Sequence, residues 1–320
     1  MSRVEPEFRV EVVQTLADEA RGAVDRLVEH TRQRTGEHPL PDQFRLELEQ
    51  GAPGFMALLV WYDQTLAAYG QLGHTTRHTL ATVVNDELDP EVVDAATRAV
   101  VDAACSAVSV RGGGDLHWWI TDTRPQLHER LLHHAEATGF RLDRTLLQMR
   151  VALPLAHHDG TAVPTRAFVA GSDELAWLDV NNTAFAAHHE QGAWTIETLS
   201  RRQREPWFDP AGFLLHERDG RLAAFCWTKL HLDTAPVMGE IYVVAVHPDF
   251  HGLGLGRSLT EAGLDSIAAR GAKVGMLYVD EANTAAVSLY LSLGFAVHRR
   301  DQAVVATLDP ARPSTFGAAT

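Results

Sequence analysis

The sequence predicts an α/β protein, with mixed sheets of the α+β kind, built from two copies of one domain in tandem. Three observations carry that reading. A strand-like run enters a glycine-rich loop and then a helical pattern; period-two and period-3.6 segments alternate on either side of it; and the chain has a weak internal repeat. The first of these is "YVVAVHPDFHGLGLGRSLTEAGL", residues 242–264. Its glycines leave backbone N–H groups uncovered at a helix N-terminus, where the helix dipole favours negative charge, so the segment reads as an anion site.

The repeat lays "ATGFRLDRTLLQMRVAL" (137–153) beside "SLGFAVHRRDQAVVATL" (292–308), and residues 38–48 beside residues 188–199. The stretch "LPLAHHDGTAVPTRA" (153–167) carries Pro, Gly and polar residues and reads as a linker. The expected division is therefore a domain over 1–152, a linker over 153–166 and a second domain over 167–320.

The second half has the clearer elements. "AFVA" (167–170) opens as a short strand, and "DELAWLDVNNTAFAAH" (173–188) follows with helical spacing. "FLLHE" (213–217) and "RLAAFCWTKL" (221–230) flank Asp219-Gly220, a hairpin turn pair. "GEIYVVAV" (239–246) is a strand running into the glycine loop, and residues 257–270 continue as a helix. "GMLYVD" (275–280) is a strand, and "NTAAVSLYLSL" (283–293) a helix with Asn283 as N-cap and Gly294 ending it. A final pair of strands completes the order β-α-β-β-β-α-β-α-β-β.

Bulk properties narrow the function. A length of 320 residues fits two domains, and 45% apolar content fits well-cored ones. The formal net charge of −14 argues against nucleic-acid or anionic-membrane partners, so an anion must be held locally. Cys105 and Cys226, one in each half, fit reduced thiols. No apolar signal core opens the sequence and no run approaches a membrane span, so the cytoplasm is expected. His doublets at 133–134, 157–158 and 188–189 read as solvated surface, because adjacent residues on one element do not face one metal.

Several identities for the loop compete. A nucleotide P-loop needs Lys before Ser/Thr, whereas Gly256 is followed by Arg257-Ser258. A dinucleotide site places its glycines after the first strand of a βαβ unit, whereas this strand follows a hairpin. A bland strand-to-helix connection is the third reading. The counterpart in the first half, "LATVVNDELDPEVVDAATRAVVDAA" (80–104), keeps a strand over 81–84 and has Asp86, Glu87, Asp89 and Glu91 where the glycines would be. Those carboxylates would repel a bound anion.

"VVAVHPDFHGLGLGRSLTEA" resembles the acyl-CoA motif of the GNAT N-acetyltransferase family, whose core reads Gln/Arg-x-x-Gly-x-Gly/Ala. His251 stands where Gln or Arg is usual, followed by Gly252, Leu253, Gly254, Leu255, Gly256 and Arg257. "NTAAVSLYLSLGF" is similar to the family's second CoA element. The resemblance implies two tandem GNAT acyl-CoA N-acyltransferase domains, the first degenerate, with acetyl-CoA as co-substrate and no metal. It places the thioester carbonyl and pantetheine arm on Val244, Ala245 and Val246, and the pyrophosphate on the amides after His251. Asn283, Thr284, Ala285, Ala286, Val287 and Ser288 would lie beside the CoA.

The resemblance also assigns chemistry. Glu240 would act as general base through water; a carboxylate on an apolar strand is costly to bury, so it is either solvated at the strand end or functional. Tyr290 would be the general acid for the CoA thiolate, or a core tyrosine. Lys229, one of two lysines in the chain, Glu190, Glu240, Tyr278 and the first-half residue Asp42 would bind substrate, Tyr278 alternatively filling the sheet. The amine would attack directly, because Cys226 lies mid-strand in apolar company and makes a poor acyl carrier. The tandem order and "DVNNTAFAAHHEQGAWT" (179–195) narrow the resemblance to enzymes acting on the cysteinyl amine of cysteinyl-glucosaminyl-inositol. That pseudo-disaccharide is the expected partner of a monomeric chain. Another amine, such as a protein N-terminus or an aminoglycoside, and a non-catalytic acyl-CoA-binding regulator stay open as alternatives.

Overall fold

A computed structural model describes residues 6–50, 54–74, 77–186 and 191–311. The chain forms two compact units, one taking it up to Leu146 and again from Arg300, the other being Leu147–Arg299.

The first unit contains β1 (Phe8–Val13), α1 (Asp18–Thr35), α2 (Asp42–Gln50), β2 (Met56–Tyr62), β3 (Thr65–His74), β4 (His78–Val84), α3 (Pro90–Val110), β5 (Gly114–Ile120) and α4 (Pro125–Ala137). It also holds the start of β6 (Arg141–Ala152). Strands β1 to β5 lie in sequence order, antiparallel except for a parallel β4–β5 pair. Strand β2 shows the layering. Leu58 and Val60 face a core shared with α3 and α4, whereas Ala57, Leu59 and Trp61 face one shared with α1 and α2.

The second unit continues with the end of β6, then β7 (Arg166–Ala167), α5 (Glu174–Ala184), α6 (Ile196–Gln203), β8 (Phe213–Arg218), β9 (Arg221–His231) and β10 (Met238–Val246). After it come α7 (Leu255–Ala269), β11 (Val274–Asp280), α8 (Thr284–Ser292) and the start of β12 (Ala296–Leu308). Its strand order is β6-β11-β10-β9-β8-β7. Along β9, Ala224 and Cys226 face α7 and α8, while Phe225 and Trp227 face α5 and α6.

Three local expectations hold. Asp219 and Gly220 both have positive φ, 54° and 75°, and close the β8–β9 hairpin as a two-residue turn. The Asn283 side chain accepts the Ala286 N–H at 3.2 Å, capping α8. Gly294, at φ 89°, ends that helix while the Phe295 N–H reaches back to the Tyr290 carbonyl.

Three differ. The helix α6 was absent from the expected order; Thr195 caps it by accepting the Thr198 N–H at 3.3 Å. The closing pair of strands is the single strand β12, whose residues 302–308 pair antiparallel with β5 in the first unit. The stretch read as a linker packs within the second unit, with Leu153 and Leu155 buried in its core. Asp159 and Gly160 there donate backbone N–H groups to the buried Glu261 carboxylate of α7 at 3.0–3.1 Å.

Helix α7 sits unusually close to the sheet, and glycines permit it. A Cβ on Gly263 would lie 2.4 Å from the Cys226 sulfur, and one on Gly239 2.6 Å from the Ile267 side chain. Alanine at either position should therefore overpack the interface. We expect Gly263→Ala and Gly239→Ala each to destabilise the protein by about 1–3 kcal/mol in equilibrium denaturant unfolding. An unchanged midpoint would show that the interface is loose.

Candidate active site

The site starts from a parting of strands. Parallel pairing of β10 with β11 runs over residues 238–241, while β9 stays paired with β10 as far as Val246. Beyond Ile241 the β11 side of β10 is thus open, and its backbone N–H and C=O groups point at whatever enters. The chain then makes a short 3₁₀ turn, Pro248–Phe250, and reaches the glycines. Gly252 (φ 78°) and Gly254 (φ 73°) take left-handed conformations that side chains rarely tolerate, and α7 begins at Leu255. The first N–H groups of α7 have no partner within the helix and face the same opening.

A cleft of about 570 Å³ follows this geometry. Val244, Ala245, Val246, His251, Gly252, Gly254, Leu255, Gly256 and Arg257 line one side of it, and Asn283, Ala285, Ala286 and Tyr290 the other. Of the expected CoA residues, Leu253, Thr284, Val287 and Ser288 are not on the lining. Phe185 just after α5, Thr260 and Leu289 line it without having been assigned a role in the sequence. Thr260 lies one turn beyond Arg257, Leu289 lies between Ser288 and Tyr290, and Phe185 falls inside the 179–195 stretch without being marked as a CoA residue.

Two side chains shape the mouth. His251, in place of the usual Gln or Arg, lies 3.1 Å by Nε2 from the Val246 carbonyl; that oxygen can only accept, so Nε2 donates and ties the loop to the strand end. Arg257 Nη2 donates to Ser292 Oγ at 2.6 Å, joining the start of α7 to the end of α8.

Glu240 lies four residues before Val244 on β10 and is 7% exposed. It is not solvated at a strand end: Oε2 is 2.8 Å from His231 Nε2. Lys229 is its register partner across β9–β10, buried with its ammonium 4.9 Å from the Trp207 ring centre and 5.9 Å from that of Tyr242. Trp227, stacked on Phe213, extends this aromatic floor. Tyr290 is buried against Phe295, and burial, with a smaller contribution from Cys226, pushes its hydroxyl up to about 12. Burial likewise pushes the Cys226 thiol up to about 12, which keeps it an unreactive thiol.

The Tyr278 hydroxyl accepts from Gln148 Nε2 at 2.7 Å and from Arg299 Nη2 at 3.3 Å. Asp42 opens α2 in the first unit. Glu190 and the 188–189 doublet lie outside the described residues. Of the other His residues, His133, His157 and His158 are exposed, whereas His134 is half-buried edge-on to Trp118. Among the described residues no group of His, Cys, Asp and Glu could hold a metal, and no helix is long and apolar enough to cross a membrane.

The first unit repeats the frame with other residues. Its parallel β4–β5 pairing also stops after four pairs, at Ala81. By that register Leu80 takes the position of Glu240, and counted back from Gly-Phe, Ala135 takes that of Tyr290. Trp118 is fully buried and donates from Nε1 to Thr82 at 3.1 Å, just where β4 and β5 part. In the following loop Asp86 is held by Arg34 at 2.8 Å and Arg124 at 2.6 Å.

Parted parallel strands, a glycine turn and a helix N-terminus define an acyl-CoA-dependent acyltransferase of the GNAT class, and the comparisons agree. The acetyltransferase (GNAT) family matches residues 176–295. The chain is 41% identical over 296 residues to a mycothiol acetyltransferase of Thermobispora bispora, covering 90% of this chain and 95% of that one. It is 39% identical over 304 residues to a mycothiol acetyltransferase of Streptomyces avermitilis, covering 91% and 93%. Among solved structures, a tandem GNAT protein from the clavulanic acid biosynthesis pathway aligns with TM-score 0.69 at 17% identity, covering 96% of this chain and all of that one. The chain belongs to the mycothiol acetyltransferase family.

Proposed function

We propose that the second unit transfers the acetyl group of acetyl-CoA to the cysteinyl amine of cysteinyl-glucosaminyl-inositol, giving mycothiol and CoA. The observation that carries the acyl-CoA part is the open edge of β10 leading into the Gly254 turn. An extended pantetheine amide chain can pair with Val244 and Val246 as a strand would, and its pyrophosphate then meets the N–H groups at the start of α7. The acceptor rests on the relatives' names and on the resemblance already described.

Glu240 takes a proton from the substrate ammonium through a water molecule. The task is modest, since an α-amine titrates near 7.7–8.0. The amine nitrogen then attacks the thioester carbon, and N–H groups of β10 stabilise the oxyanion that forms. As the C–S bond breaks, Tyr290 donates its O–H to the departing sulfur. A hydroxyl held at about 12 keeps its proton through neutral pH, so it serves as donor and relay. The proton that completes the CoA thiol is the second one lost by the amine nitrogen. Lys229 and Tyr278, with Glu190, are the second-unit candidates for contacting the acceptor.

The reading is tested by thiol release from acetyl-CoA with candidate amines. Turnover is expected with the cysteinyl amine; turnover confined to an aminoglycoside or a peptide N-terminus would replace the acceptor, and none with any amine would favour the regulator. Gly254→Asp puts a carboxylate where the pyrophosphate would sit and should abolish acetyl-CoA binding by calorimetry. Retained affinity would move the site elsewhere.

Glu240→Gln should lower kcat/KM by roughly 10²–10⁴ at neutral pH, with a smaller loss at high pH, where the amine is neutral unaided. Tyr290→Phe should lower kcat by a factor constant between pH 7 and pH 10, because a phenol raised to about 12 stays protonated across that window. A factor that vanishes by pH 10 would count against the donor role.

The first unit, with Leu80, Ala135 and a carboxylate at its loop, is proposed to be non-catalytic. Replacing Gly254 and Gly256 should abolish turnover while that unit is intact. Residual activity that disappears when residues 80–104 are altered would overturn this.

A further inference from the structure

The mechanism leaves unexplained how a buried carboxylate keeps one fixed orientation. Glu240 is 7% exposed, and a carboxylate taken out of water needs a partner. On β11 its register partner is Met276, which carries no charge. On β9 its register partner is Lys229, whose ammonium lies over the Trp207 and Tyr242 rings. The group that meets its oxygen at 2.8 Å is His231, one diagonal step away on the same face of the β9–β10 pair, where His231 is opposite Met238.

Turn chemistry fixes that histidine. Thr234 Oγ1 donates to the His231 carbonyl at 2.8 Å and accepts the Met238 N–H at 3.1 Å, so one hydroxyl spans the β9–β10 connection at its base. The His231 side chain is 20% exposed, with one edge toward solvent and the other on Glu240. A carboxylate has no proton to give, so Nε2 carries the hydrogen and Glu240 Oε2 accepts it. With Oε2 engaged, Oε1 is the oxygen left to take a proton.

We propose that His231 is a positioning residue for the acetyl transfer: its Nε2–H holds Oε2 of Glu240 and thereby aims Oε1 at the water or amine of the acceptor. The proposal rests on Glu240 being the base, as set out above. It adds no proton-transfer step to the reaction. Its effect is orientation, to which proton transfer is sensitive because a small misplacement of the base costs rate without costing affinity for acetyl-CoA.

The test uses the full chain and two substitutions, His231→Gln, which can present an N–H near the Nε2 position, and His231→Leu, which cannot. Each is made alone and with Glu240→Gln, and kcat, both KM values and the melting temperature are measured. His231→Leu should lower kcat roughly ten-fold to a hundred-fold, the range for losing a hydrogen bond to a charged group. KM for acetyl-CoA should be unchanged, and His231→Gln should recover most of kcat. In the Glu240→Gln background the leucine substitution should cost nothing further.

Wild-type kcat in His231→Leu, an equal loss with and without Glu240, or a glutamine variant that folds yet is no better than leucine would each overturn the positioning role. Should Glu240→Gln alone retain wild-type turnover, the base assignment falls first, and the two failures are told apart by that single variant. If the leucine variant does not fold, the glutamine variant carries the test: wild-type kcat there supports the donor role, and a loss matching that of Glu240→Gln overturns it.

Discussion

The close seat of α7 on the strands of the second unit is the constraint from which the site follows. Gly263 lets the helix meet Cys226 and Ile241, Gly239 lets Ile267 lie flat on β10, and Gly275 admits Leu264 over β11. A side chain at any of the three would lift the helix by a fraction of its own diameter. The N-terminus of α7 would then leave the line of β10 and its open edge. The glycines of the turn and the glycines of the packing thus have different jobs. Gly252 and Gly254 supply positive φ where nothing crowds them, and Gly239, Gly263 and Gly275 supply room.

That geometry has to work against the protein's own field. A net charge of −14 opposes an incoming polyanion, and the opposition weakens only as salt screens it. Attraction therefore has to come at contact range, from oriented amides, the helix dipole and Arg257, which is fixed by Ser292 at the cleft wall. The proposed acceptor side is built on the opposite principle. Glu240 and Lys229 are both buried, and the environment that makes them costly to bury also makes them strong when a complementary group arrives. Trp207 and Tyr242 give the lysine an electron-rich floor, with Trp227 packed against both rings.

Much of this is legible in the sequence. The glycine turn before α7, the Asn283 cap, the Gly294 stop and the Asp219-Gly220 turn are signals carried by adjacent residues, where local backbone preference decides the outcome. Where long-range pairing decides, the sequence is nearly silent. Residues 296–308 alternate well enough for two short strands or one long one, and pairing with β5 makes them one. The short helix over 196–203 has a single buried residue, Leu199, too little to raise a periodic signal. His231 illustrates the same limit at the site. Nothing about "KLHLD" marks the histidine until the β9–β10 turn folds it back onto a residue nine positions later.

The two units together separate what the fold supplies from what the residues supply. Both have a parallel pair that stops after four register pairs, a connection, and a helix behind it. In the second unit the space beyond the pairing is a cleft with amide edges. In the first, the Trp118 indole bonds Thr82 at the same point, and Asp86 already sits between two arginines. An internal carboxylate so placed satisfies the cations that a phosphate would otherwise seek, and a free anion would have to displace a tethered one at high effective concentration. That acid is a structural element, stabilising the loop it occupies. Restoring glycines there would remove the competing charge and the ion pairs at one stroke, leaving Arg34 and Arg124 without the carboxylate that now holds them.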